Sequence, residues 1–393
     1  MQIALDPLTT LPEDGTLGAL VARVWVPGAP PGPSVALLRG EEVVALGRAA
    51  PTMADLIEED DPAAAARRLG ESGAVIGAFS EILANSEADA LSPRRPHFLA
   101  PTDLQAVKAA GVTFTESLLE RVIEDATKGE SARAAAVRTT LAQEIGADIA
   151  SVKPGSAAAS RLKEALRARG LWSQYLEVGI GPQAEIFTKA QPLSAVGTGA
   201  EIGLHPASLW NNPEPEIVLV VSSRGRLVGA TLGNDVNLRD FEGRSALLLG
   251  RSKDNNGSCA VGPFIRLFDR GFTLDDVRRA SVYLRVAGDD GFALSGQSSM
   301  EKISRDPAEL VRQMLDMHQY PDGVVLFCGT MYAPIEDRGE PGMGFTHRAG
   351  DLVTISSPKL GALQNRVSTS DRLPPWTFGA RALMRNLAAR GLL

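Results

Sequence analysis

Hydrophobic and polar positions divide the chain into stretches of different texture. Ser34 to Gly47 (SVALLRGEEVVALG) sets two short apolar runs around Arg39-Gly40-Glu41, the pattern of two strands joined by a tight turn. Met53 to Glu59 and Ala63 to Leu69 carry helical spacing, the second opening after Asp61-Pro62. Ser92-Pro93-Arg94-Arg95-Pro96 reads as a linker. Glu116 to Arg169 is rich in Ala, Glu and Arg with one proline, Pro154, and predicts two or three helices. From Trp172 onward glycines, prolines and β-branched runs dominate. Strands are expected at Glu216–Val221, Leu227–Leu232, Ala280–Val286, Val324–Phe327 and Leu352–Ile355, and helices at Asp275–Arg279 and Pro307–Met317. The expected class is a β-rich α+β protein. Residues 1–95 form a small N-terminal α/β domain, and residues 96–393 form a β-rich catalytic domain with a helical insertion over about 116–170.

Composition narrows the function classes. In 393 residues there are 40 basic and 47 acidic side chains, a net charge of −7 with no basic block, so the electrostatic footprint of nucleic-acid binding is missing. The longest uncharged stretch, Val24–Leu38, is too short and too broken by Pro27, Pro30, Pro31 and Pro33 to span a membrane. The N-terminal MQIALDPLTTLPEDG lacks the basic and apolar regions of a secretory leader. Cys259 and Cys328 are the only cysteines, too few for a disulfide framework, and a reduced, cytoplasmic protein is the expectation.

The chemistry concentrates between Asn211 and Asp235. Glu214 and Glu216 stand two apart at the head of an apolar strand, so their side chains share a face. Ser222-Ser223-Arg224-Gly225 makes the turn, and a simple hairpin about it sets Asp235 opposite Glu214. Three converging carboxylates repel one another unless a cation sits among them, and three oxygen donors suit Mg²⁺ or Mn²⁺. The alternative is a solvated hairpin rim. Lys253, in RSKDNNGSCAVGP, could balance that charge or hold a substrate carboxylate; its alternative is a surface lysine. His97, His205, His318 and His347 are scattered without metal-ligand spacing, and His205 reads as structural although it lies near Glu214 in sequence. No G-x-S-x-G elbow occurs, and Gly179-Ile180-Gly181 leads into Pro182 rather than a dinucleotide-binding helix.

Taken together, several stretches resemble the fumarylacetoacetate hydrolase superfamily: Glu185-Ile186-Phe187-Thr188-Lys189, Glu214-Pro215-Glu216, Gly233-Asn234-Asp235-Val236-Asn237-Leu238-Arg239-Asp240, Lys253, Val261-Gly262-Pro263, Cys328-Gly329-Thr330, Gly344-Phe345-Thr346-His347 and Ala349-Gly350-Asp351. The resemblance implies that family's β-roll catalytic fold. It also implies a Mg²⁺ site (Mn²⁺ as the other ion) on Glu214, Glu216 and Asp235, Lys253 beside the metal, Thr330 at the substrate, and a homodimer or homotetramer. One departure matters. Where many members carry a His–Glu pair, this chain has Ser117 and Glu120, and serine offers no base near neutral pH.

The subgroup of closest resemblance comprises the dehydratases of 2-keto-3-deoxy sugar acids. It implies that Glu185, 29 residues before Glu214, transfers protons; pairing with Lys189 is the structural alternative. The expected reaction converts a 2-keto-3-deoxypentonate to 2,5-dioxopentanoate through an enolate stabilised at the metal. Glu185, Lys253 and Glu120 are the candidate catalytic groups, and Ser117, Arg239, Asp240, Gly329 and Thr330 the candidate substrate contacts. The partner is a small sugar acid, with neither nucleic acid nor membrane. Rival reactions are C–C hydrolysis of a 2,4-diketo acid and decarboxylation of a β-keto acid. An inactive sugar-acid sensor on the same scaffold is the non-enzymatic alternative.

Overall fold

The computed structural model describes residues 5–393, with only the backbone described for residues 140–148. The first four residues, part of the stretch read above for a leader, lie outside the described residues. An eleven-stranded sheet forms the frame. Its order runs Val75–Ala78, Glu42–Ala45, Gly32–Arg39, Leu20–Val26, Cys259–Leu267, Leu227–Asp235, Pro215–Val221, Val324–Phe327, Ala106–Gly111 and Glu185–Ala190, with His97–Leu99 also paired to Leu20–Val26. A second sheet of five strands orders Ala293–Ser299, Ser281–Ala287, Leu352–Ser357, Gly361–Thr369 and Glu201–Leu204.

Both faces of the central strands are covered, so every residue of Pro215–Val221 and of Cys259–Leu267 is buried. Ile217, Leu219, Ala230 and Leu232 pack toward the five-stranded sheet through Leu284, Val286, Val353 and Ile355. Val218, Val220, Val325 and Phe327 pack on the opposite side against Met53, Leu56, Ile57 and Ala66. The helices Met53–Glu58 and Pro62–Ser72 supply that outer layer. Each begins where the sequence signals it: Thr52 and Asp55 make a capping box, and Asp61 accepts the Ala64 N–H.

Residues 5–95 contribute strands to the same large sheet as the rest of the chain. Leu20–Val26 pairs directly with Cys259–Leu267, and the N-terminal helices share their core with the central strands. The supposed linker is pinned as well: the Asn85 amide donates to the carbonyls of Ser92, Arg95 and Pro96 and accepts the Ser92 N–H. The helical insertion does form, as Thr115–Thr127, Ser131–Ala150, Ala157–Ala168 and Gln174–Ile180 around a small core of its own. Among the described residues, no helix is long and apolar enough to cross a membrane.

Candidate active site

The hairpin register is the one the sequence predicts. Pro215 faces Asn234, Glu216 faces Gly233, and the Asp235 N–H donates to the Glu214 carbonyl. Period two then turns Glu214, Glu216 and Asp235 to one face, where one oxygen of each lies within 4.8 Å of the others. All three are buried. They line a tight pocket with Lys253, Glu185, Phe187, Thr330, Ser117, Arg121 and Glu242. A larger cleft over Tyr283, Arg285 and Thr354 holds no such cluster.

Each carboxylate is held differently. Lys253 Nζ lies 2.5 Å from Glu214 Oε2 and 3.1 Å from Asp235 Oδ2. Lys189 Nζ lies 2.8 Å from Asp235 Oδ1. Burial would raise Asp235, but these two ammonium groups outweigh it and hold its carboxyl below the usual range. Glu216 has no ion pair among the described residues. The Gly329 N–H donates to Oε2 at 2.6 Å and Thr330 Oγ1 stands 3.4 Å from Oε1. Burial, then the charges of Asp235 and Glu214, push Glu216 well above the ordinary carboxylate value. Gly329 reaches Glu216 at φ +103°, and a Cβ there would lie 1.9 Å from Thr113 Oγ1, so the position needs glycine.

Five carboxylates (Glu185, Glu214, Glu216, Asp235 and Glu242) meet three cations (Arg121, Lys189 and Lys253) in this buried space. The imbalance and the hard oxygen donors fit one divalent cation held by Glu214, Glu216 and Asp235. Lys253 itself is a permanent cation: burial opposes its charge, but Asp235, Glu214 and Glu242 raise its pKa above normal. It can neutralise charge and donate hydrogen bonds.

Glu185 is the exception among these carboxylates. It makes no hydrogen bond or ion pair among the described residues; Lys189, four along the same extended strand, is carried about 13 Å away and pairs with Asp235 instead. Burial, followed by the nearby charge of Glu242, pushes the Glu185 carboxyl up to about 7 against the opposing pull of Arg121 and Lys253. Gly111 leaves room for it, since a Cβ there would lie 2.2 Å from Glu185 Oε2.

Other sequence-derived residues are placed elsewhere. Glu120 is taken by Arg138, at 2.6 and 2.7 Å, and does not line the pocket. Asp240 points away, accepting from Ser208 Oγ and the Leu209 N–H. Arg239 is buried behind the pocket, 3.2 Å from Glu124 and 2.9 Å from Asn212 Oδ1. Gly329 is bound to Glu216 rather than free for a substrate oxygen. Ser117 does reach the pocket, although its hydroxyl donates to the Phe114 carbonyl. His205 is half-buried beside Arg251, away from the carboxylates. Two charged pocket residues went unforeseen. Arg121 lies one turn beyond Ser117, and Glu242 three residues beyond Arg239; helical spacing from those two candidates could have found both.

Fold and site define an α+β protein, with three sheets among the described residues and a buried cluster of acidic oxygens that could hold a hard cation. Residues 174–368, just under half of the chain, match the model of the fumarylacetoacetate (FAA) hydrolase C-terminal domain. It is 31% identical over 192 residues to the 2-dehydro-3-deoxy-D-arabinonate dehydratase of Saccharolobus solfataricus, covering 48% of this chain and 60% of the relative. It is 29% identical over 195 residues to a probable 2-keto-3-deoxyxylonate dehydratase of Haloferax volcanii, covering 50% of this chain and 64% of that protein. The matched region is thus under two thirds of either curated relative. Among solved structures, a hexagonal crystal form of 2-keto-3-deoxyarabinonate dehydratase aligns with TM-score 0.59 at 22% identity, over 89% of this chain and 99% of the other. A 2-keto-3-deoxy-D-arabinonate dehydratase complexed with magnesium and 2,5-dioxopentanoate aligns with TM-score 0.57 at 22% identity and the same coverage. These likenesses establish the shared fold.

Proposed function

We propose that the protein is a Mg²⁺-dependent hydro-lyase that converts a 2-keto-3-deoxypentonate to 2,5-dioxopentanoate and water, as a step in pentose breakdown. The observation that carries the reading is Glu185, a half-buried carboxylate free of partners among the described residues, beside a three-carboxylate cation site. The names of both curated relatives support it. Glu214, Glu216 and Asp235 would hold a divalent cation, which would supply Lewis-acid polarisation of a 2-keto acid and so make the C3 proton more acidic. Glu185 removes that proton. Lys253 offsets the negative charge that develops, and Thr330 and Ser117 border the substrate's path. The C4 hydroxyl departs as water, and a proton shift from C5 gives the aldehyde. No redox step occurs, so no electron carrier is required. Ser117, whose hydroxyl has no base beside it among its hydrogen-bond partners, gives no means of activating water for C–C cleavage.

Chelation tests the reading. Exhaustive EDTA treatment should abolish dehydration, and Mg²⁺ should restore it while Ca²⁺, with its longer bonds and looser geometry, restores less. Full turnover after chelation would defeat it. We further propose a homodimer or homotetramer in the cytoplasm; the buried, unpaired Cys259 and Cys328 are compatible with a reducing compartment. Light scattering giving a stable monomer mass at micromolar concentration would reject the assembly.

A further inference from the structure

The strands that end the two large sheets are not alike. Val75–Ala78, at one end of the eleven-stranded sheet, has four residues and a bulge at Ile76, since Gly77 faces Val43 and Val75 faces Val44. Glu185–Ala190, at the other end, carries two charges and a bulge at Lys189, since Thr188 faces Lys108 and Ala190 faces Val107. Glu201–Leu204, which ends the five-stranded sheet, has four residues and a charge at its head. Shortness, bulges and charges are the devices that keep an open edge from pairing with another chain. Ala293–Ser299, at the opposite end of that sheet, has none of them. It runs for seven residues, ALSGQSS, without charge or proline and in unbroken register with Ser281–Ala287. On its other side no backbone hydrogen bond meets it among the described residues. Such an edge presents a row of N–H and C=O groups that a further strand can satisfy.

We propose that this edge is the contact surface for a second copy of the chain, the two Ala293–Ser299 strands pairing antiparallel about a two-fold axis at Gly296. The assignment rests on the homo-oligomer proposed for this chain and names its interface. The strand matches itself about that point, as a two-fold contact requires. Gly296 brings no side chain to the axis, because the Tyr332 ring lies 2.4 Å from where its Cβ would be. Exposed Ser295 then stands opposite the partner's Gln297, a hydroxyl against an amide, and buried Leu294 opposite the partner's Ser298. Beyond the strand, the acidic turn Asp289-Asp290 comes to the end where the partner's Lys302 stands, so unlike charges meet on both sides of the axis. The pairing makes one ten-stranded sheet from two five-stranded ones and closes both open edges. Tyr332, which packs on Gly296, lies two residues past the pocket's Thr330, so the paired edge backs the segment that leaves the active site.

Three double substitutions in the full-length protein test the pairing. Ser295→Lys with Gln297→Lys sets lysines against lysines across the axis. It should weaken that contact at least about tenfold and halve the mass of the assembly seen by light scattering at micromolar concentration. Ser295→Lys with Gln297→Glu sets each lysine against a glutamate instead, and should keep the native mass. This second variant also shows that a lysine at position 295 is compatible with folding. Ser295→Cys with Gln297→Cys should oxidise to a covalent dimer on a non-reducing gel, while either cysteine alone should not; Cys259 and Cys328 are buried and contribute no background. Loss of assembly in both lysine variants, or in neither, together with no covalent dimer, overturns the pairing at Gly296 and leaves the homo-oligomer standing. A native chain that is monomeric at micromolar concentration overturns both.

Discussion

Replacing Glu185 by Gln should lower kcat by at least about 100-fold, the usual contribution of a positioned general base. The swap is nearly isosteric, so the close fit over Gly111 survives. Glu185 is not among the three cation-site carboxylates, so Mg²⁺ binding measured by calorimetry should persist. The variant thereby separates proton transfer from metal binding. A pH profile adds a second readout. The base acts as a carboxylate, and burial beside Glu242 lifts its pKa to about 7. Native kcat/KM should therefore rise with pH up to about 7 and then level off, and bound Mg²⁺ moves that limb toward acid. In Glu185→Gln the limb should vanish. A variant with near-native turnover would remove Glu185 from the reaction.

Asp235→Asn should destabilise the fold as well as abolish activity. Lys189 is fully buried, and Asp235 is its one carboxylate among the described residues; Lys253 would keep Glu214. Removing one member of a buried ion pair costs about 3–5 kcal/mol because the other charge is left uncompensated. Glu216→Gln offers the contrast. Glu216 is held by the Gly329 amide and repelled by Asp235 and Glu214, so neutralising it relieves repulsion in the metal-free protein. Its apo stability in urea should match or exceed the native value, while the Mg²⁺-induced gain in stability is lost. Equal destabilisation by both substitutions would contradict this division of roles.

These contrasts also show which parts of the molecule a sequence can reveal. Glu214, Glu216 and Asp235 were legible because strand alternation and one turn bring them together with no long-range information. Helix starts at Asp61-Pro62 and Asp306-Pro307 were legible for the same reason, since a cap is local chemistry. The place of residues 1–95 was not. Their strand Leu20–Val26 finds its partner some 240 residues away, and no local pattern encodes that pairing. Arg239 and Asp240 were legible as a motif but not as directions. Once Arg239–Arg244 turns helical, successive side chains diverge by roughly 100°, so Asp240 swings to the loop at Leu209 while Glu242 enters the pocket. Glu120 likewise reads as reactive until Arg138, from the following helix, neutralises it.

The most direct test of the whole account is NMR of the purified protein with Mg²⁺ and 2-keto-3-deoxypentonate in D₂O. The account predicts Mg²⁺-dependent loss of the substrate signals and the appearance of 2,5-dioxopentanoate carrying deuterium from solvent, with no conversion by Glu185→Gln. A protein that leaves the pentonate untouched while cleaving a 2,4-diketo acid into two fragments would contradict it.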